Sequence, residues 1–189
     1  MKILMAALIS EGILALASLA IYYVFSMPLV WNASNIALAQ GLFLTVPPLI
    51  INKLLWSYSE SHPDSIFGRF SREIIIPLCR HITPTIAIIV AILSGVCEEL
   101  FFRGAINSLC LKITGPVFAL IFTSFIFAAT HFIGNFKRYG AMIPLYTTMG
   151  AYLWLVHYYT DSLTAVAVCH GVYNLVVIVM VRQANIARA

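Results

Sequence analysis

The chain has 189 residues, of which 61% are hydrophobic and 10% charged, and its net charge is +4. Soluble domains carry about 25% charged residues, so this composition excludes a globule covered by water and makes the bilayer its solvent. The basic residues stand at the ends of apolar runs and form no patch interleaved with aromatics. That excludes a nucleic-acid partner and marks them as topology signals.

The first apolar run is Ile3–Met27, interrupted by Glu11. It is longer than the apolar region of a cleaved leader and reads as a retained first helix, with Glu11 facing the bundle near Arg80. The second run, Ile36–Leu55, holds Pro47-Pro48, which predicts a kink near its end. A polar stretch, Asn52–Arg80, follows. Its first part, with Ser57, Glu60, Ser61, His62, Pro63 and Asp64, reads as loop. Its second part, with Phe67, Arg69, Phe70 and Arg72, reads as an amphipathic segment on the membrane surface.

Four more runs complete the chain: Ile82–Leu111, Val117–Ile133, Ala141–Tyr159 and Leu163–Val181. Lipid admits only helices or closed barrels. Barrel strands alternate over about ten residues, which these runs do not. The expected fold is an all-α polytopic membrane bundle of about six transmembrane helices. Residues 1–189 form one domain, without repeats or linkers. With the N-terminus cytoplasmic, nine basic residues fall on the inner side and at most two, Arg103 and Lys112, on the outer, a positive-inside bias. Cys79, Cys97, Cys110 and Cys169 lie in or beside apolar runs and read as buried thiols rather than disulfides. Tyr139, Tyr152, Trp154, Tyr158 and Tyr159 include interfacial anchors.

Ionisable groups at mid-bilayer cost about 2.5–3.5 kcal/mol on insertion scales and are functional candidates by default. The third run carries Glu98, Glu99 and Arg103; the fourth ends Phe127-Ala128-Ala129-Thr130-His131; the sixth contains His170 and Asn174. Glu99 and Arg103 are four apart on a helix and pair on one face. Glu98 points about a quarter turn away and is the carboxylate left for chemistry. His170 and Asn174 are also four apart. Glu98 precedes Gly115 by 17 residues and His131 follows it by 16. A hairpin at Thr114-Gly115-Pro116 therefore puts both about 25 Å from the turn, level with each other. His170 is eight residues into its helix, so the three groups meet if that hairpin projects or tilts.

A desolvated carboxylate can act as general base for water. A histidine beside it orients the water or moves its proton. A second histidine and an asparagine can donate to the oxyanion of a tetrahedral intermediate. Together these groups describe amide hydrolysis without a protein nucleophile.

The same three motifs, in the same order, resemble the CAAX prenyl-protease and bacteriocin-processing family, also called CPBP or Abi, over about Ala91–Val181. The resemblance implies an all-helical membrane fold. By it, Glu98 activates water, His131 assists, His170 and Asn174 form the oxyanion site, and Glu99 and Arg103 support. It also implies a membrane-anchored or lipidated protein or peptide substrate, cut near a hydrophobic C-terminus or at a leader, with no cofactor. The short chain points to a prokaryotic cell membrane. The charge count places His170 nearer the outer face, which favours exported precursors.

Two other functions fit the residues. Glu98, His131 and His170 match a two-histidine, one-carboxylate zinc set, although the HExxH helix motif is absent. A non-enzymatic immunity factor, chaperone or transporter would also bury Glu and His. His62, His81 and His157 read as loop, interface or interhelical residues. Cys169 points about 100° away from His170 and is not expected to act as a nucleophile.

Overall fold

The computed structural model describes residues 2–186; Arg188, counted above among the inner basic residues, lies outside them. α1 (Lys2–Val24) turns only one stripe inward: Glu11, Ser18 and Tyr22 are buried while Ile13, Leu16 and Tyr23 are exposed. Such spacing is the protein-facing side of a helix whose other sides meet lipid. α2 (Asn35–Leu44) starts at Ser34, whose hydroxyl accepts from Ala37 N at 3.1 Å. It gives way at Thr45 to α3 (Val46–Ser61), because Pro47 and Pro48 have no N–H to continue the ladder.

The expected loop after Asn52 is instead helical as far as Ser61. Trp56 Nε1 donates to Glu60 Oε1 at 2.9 Å and Ser61 Oγ to Ser57 O at 3.1 Å, so the polar side chains are satisfied along the helix itself. Polarity alone therefore did not mark the helix end. The turn comes at His62–Ser65, and Ser65 caps α4 (Ile66–Phe70). A π-helical turn (Ser71–Ile75) and α5 (Ile76–Arg80) complete an amphipathic segment. Its Phe70 is buried among Phe132, Tyr139 and Tyr146 while Arg72 stays exposed.

α6 (Pro84–Leu93) leads without a break into two π-helical segments, Ser94–Glu98 and Leu100–Ile106, and then α7 (Asn107–Ile113). Gly115, at φ 92°, makes the turn into α8 (Pro116–Thr130). α9 (Phe136–Tyr139) and a single 3₁₀ turn precede α10 (Ile143–Thr160). Asp161, left-handed at φ 46°, ends α10, and α11 (Leu163–Ile186) closes the fold.

The result is an all-α polytopic membrane bundle, with no strand among the described residues. Residues 3–24, 35–61, 84–113 and 163–184 are long and apolar enough to cross a membrane. The fourth and fifth apolar runs give a shorter pair, α8 and α10, packed along each other. α11 is the hub, packing on α2, α5, α6, α10 and the first π segment. Val166 and Cys169 on α11 close a core with Phe102, Phe127, Leu153 and Val156.

One close approach positions the site. A Cβ on Gly95 would lie 2.6 Å from Ala167 O and 2.9 Å from Gly171 Cα, and one on Gly171 would lie 2.9 Å from Ala91 O. Only glycine lets the two backbones come this near, as at small-residue helix contacts in membranes. The contact brings the paired glutamates to the first half of α11.

Candidate active site

The two adjacent glutamates sit at the junction of the π-helical segments, where the extra residue per turn re-aims side chains. Both are buried, Glu98 at 8% exposure and Glu99 at 0%. Their partners differ. Glu99 Oε1 accepts from Arg103 Nη1 at 3.1 Å and lies 2.7 Å from His170 Nδ1. Arg103 Nη2 donates to Gly150 O on α10 at 2.9 Å, and its guanidinium lies over the Phe127 ring. Glu99 thus ties the π segment to α11 and, through Arg103, to α10. The opposite charges of Glu99 and Arg103 offset each other in the interior, although Glu99 Oε2 and Arg103 Nε are buried without hydrogen bonds.

Glu98 has no such partner. Its Oε2 is buried without a hydrogen bond, and His131 Nε2 lies 3.8 Å from it. His131 stands just past the end of α8, a third exposed, with Nδ1 donating to Phe127 O at 2.7 Å. That bond leaves Nε2 as the nitrogen free for proton traffic. Phe127 and Tyr146 lie against the ring, with centroids 4.7 and 5.1 Å away. Phe127 also meets His170 edge-on, 5.8 Å between centroids.

The structure therefore brings Glu98 beside His131, and Glu99 beside Arg103 and His170. Asn174 lies one turn further along α11, where its Nδ2 donates to Ser94 Oγ at 2.8 Å. His170 keeps Nε2 free, because Nδ1 is on Glu99. Cys169 is fully buried and donates to Leu44 O at 3.4 Å, towards α2. His62 stacks on Tyr58 outside the site.

Three participants were not singled out from the sequence. Ser94 holds Asn174, and Gly150 supplies a backbone carbonyl to Arg103; neither residue type announces such a role. Tyr146 packs on His131 from a helix whose contribution only the fold reveals. Glu11 was noticed as an interruption of α1, but its electrostatic neighbours are Glu98 and His170 rather than Arg80. As to zinc, among the described residues no three His, Cys, Asp or Glu side chains converge as a metal-binding group.

Fold and site together define an integral membrane protein with a buried carboxylate–histidine centre. The family model for type II CAAX prenyl endopeptidase Rce1-like proteins matches residues 80–176, just over half of the chain, and the chain belongs to this protease family. The matched stretch contains Glu98, Glu99, Arg103, His131, His170 and Asn174. No curated protein and no solved structure matches the chain.

Proposed function

We propose that the protein is a glutamate-type intramembrane endopeptidase, with residues 1–189 acting as one membrane domain. Its substrate is a membrane-anchored or lipidated protein or peptide, cut near a hydrophobic C-terminus or at a leader. The observation that carries this reading is the buried, unpartnered Oε2 of Glu98, 3.8 Å from His131 Nε2. A desolvated carboxylate oxygen with an imidazole in reach is a competent base for water.

In the proposed reaction Glu98 takes a proton from water, and the hydroxide oxygen bonds to the scissile carbonyl carbon. The carbonyl oxygen becomes an oxyanion. His170 donates to it from Nε2; with Nδ1–H on Glu99, this requires the imidazolium, whose charge the Glu99 carboxylate offsets. Asn174 has two N–H groups and spends one on Ser94, so one remains for the oxyanion. The C–N bond then breaks, and the proton held by Glu98 reaches the leaving amine through His131. Glu99 and Arg103 hold this geometry and take no proton.

The distribution of basic residues supports a cytoplasmic N-terminus. The test is cleavage of candidate precursors in cells making wild type or Glu98→Gln at matched membrane levels. A product lost in the variant is the expected result, and its new terminus identifies the bond cut. Equal processing by both proteins would remove Glu98 from the mechanism.

A further inference from the structure

Glu11 is the one acidic residue of α1, and lipid would accept leucine at that position more readily. The helix nevertheless turns it inward, on the stripe shared with Ser18 and Tyr22, and buries it to 8% exposure. Its Oε2 is buried with no hydrogen-bond partner, as is Oε2 of Glu98. α1 packs against α6 and both π-helical segments. α6 offers no titratable side chain, and Arg103 on the second π segment is closed on Glu99. The titratable groups within electrostatic reach of Glu11 are Glu98 and Cys97 on the first π segment and His170 on α11. His170 Nδ1 is taken by Glu99. A buried carboxyl oxygen without a hydrogen bond is destabilising, and Glu11 Oε2, like Glu98 Oε2, is left open to a partner that no protein group supplies.

A water molecule has two hydrogens. The proposed base takes one; the other needs an acceptor if the oxygen lone pair is to be fixed on the carbonyl carbon. We propose that Glu11 is a positioning carboxyl of the active site, accepting the second hydrogen of the water that Glu98 deprotonates. It acts through that water and forms no bond to substrate. The inference rests on the peptidase reading above and adds to it a residue from outside the stretch that carries the motifs.

The test uses the full chain in proteoliposomes with a fluorogenic prenylated CAAX peptide, comparing wild type, Glu11→Leu, Glu11→Gln and Glu98→Gln, with thermal stability measured on each. Glu11→Leu is expected to lower kcat about tenfold to a hundredfold, the scale of misplacing a reacting group, with KM unchanged. Its Tm is expected to hold or rise, because an unsatisfied carboxyl has been removed from the interior. Glu11→Gln keeps one acceptor oxygen and is expected to recover part of the rate. A Glu11→Leu protein that is less stable than wild type or does not fold identifies a structural residue and overturns the inference. Wild-type kcat in Glu11→Leu, or no recovery in Glu11→Gln, overturns it too while leaving the Glu98 reading intact if Glu98→Gln is dead. Wild type that leaves both this peptide and a membrane-anchored leader-peptide precursor whole, or Glu98→Gln as active as wild type, defeats the peptidase reading and the inference with it.

Discussion

His170 Nδ1 lies 2.7 Å from Glu99 Oε1, on the same oxygen that accepts from Arg103 at 3.1 Å. One carboxylate oxygen thus holds two elements far apart in sequence, and its neighbour Glu98 is left without a hydrogen bond at Oε2. The two glutamates are chemically identical and adjacent, yet they carry opposite loads. Removing the charge of Glu99 leaves Arg103, fully buried, without its counter-ion. Breaking a buried pair in this way costs about 3–5 kcal/mol. Glu99→Gln is therefore expected to lower Tm sharply and reduce the folded yield in membranes. Glu98→Gln removes a carboxylate with no hydrogen bond at Oε2 and only the His131 contact at 3.8 Å, so its Tm is expected to stay near wild type while cleavage is lost. Thermal unfolding of both variants in the same detergent reads this contrast directly.

The meeting of the glutamates with α11 depends on backbone contact. At Gly171 a methyl group would sit 2.9 Å from Ala91 O, and backbone cannot yield as a flexible side chain can. Gly171→Ala is expected to separate α11 from α6, cost about 1–3 kcal/mol by overpacking and reduce kcat at least tenfold by pulling His170 from Glu99. Ala167→Gly, one turn away, removes a methyl without forcing the helices apart and serves as the control. Tm and cleavage rate measured together separate the two effects: Gly171→Ala should lose activity beyond what its loss of stability accounts for.

The membrane class was legible because composition alone rules out water as the solvent, and the six apolar runs survive as helices. Glu99 and Arg103 were legible because four-residue spacing on a helix pairs them whatever surrounds them. The partner of His170 was not, because the contact with Glu99 spans two helices and depends on glycine packing. The π-helical segments were not legible either, since no local pattern distinguishes them from continuous α-helix. The helix through Ser57–Ser61 was read as loop because its polar residues satisfy one another along the helix, a trait shared with turns. Glu11 stood out by its charge, but its neighbours follow from which stripe of α1 faces inward, and that is settled by the bundle.

Asn174 and Ser94 form the second polar link between α11 and the first π segment. Ser94 in turn donates to Ala91 O at 3.3 Å, so it presents its lone pairs to the amide. If Asn174 supplies an oxyanion donor, Asn174→Ala is expected to lower kcat by about 10²–10³, the scale of losing one such donor. Ser94→Ala leaves the amide in place but unheld. Its expected loss is smaller, about tenfold, the scale of loosened orientation. Steady-state kinetics on both should show the effect in kcat with KM little changed. Equal losses would mean that the pair acts only as a structural link.

Away from the membrane-spanning segments, Glu73 on the amphipathic segment binds α9. Tyr139 donates its hydroxyl to Glu73 Oε2, and Arg138 pairs with the same oxygen. The Tyr139 hydrogen bond, followed by the Arg138 charge, holds the Glu73 carboxyl below its ordinary value of 4.5. The same bond favours the neutral Tyr139 phenol and pushes it above 10.0. For Glu73 the folded protein holds the proton less tightly than the unfolded chain. Its contribution to stability is therefore present above pH 4.5 and is lost as pH falls through the lower, folded value. For Tyr139 the contribution is present below pH 10.0 and is lost as pH rises through the higher, folded value. Glu73→Gln and Tyr139→Phe are each expected to flatten the loss of Tm on acidification below about pH 4.5, and each should lower Tm near neutrality. The double variant should lose less than the sum of the two single ones, because the Tyr139–Glu73 hydrogen bond is weakened in one and removed in the other. Thermal unfolding from pH 3 to pH 7 checks this; single variants whose acid slope equals that of wild type would take this link out of the pH response.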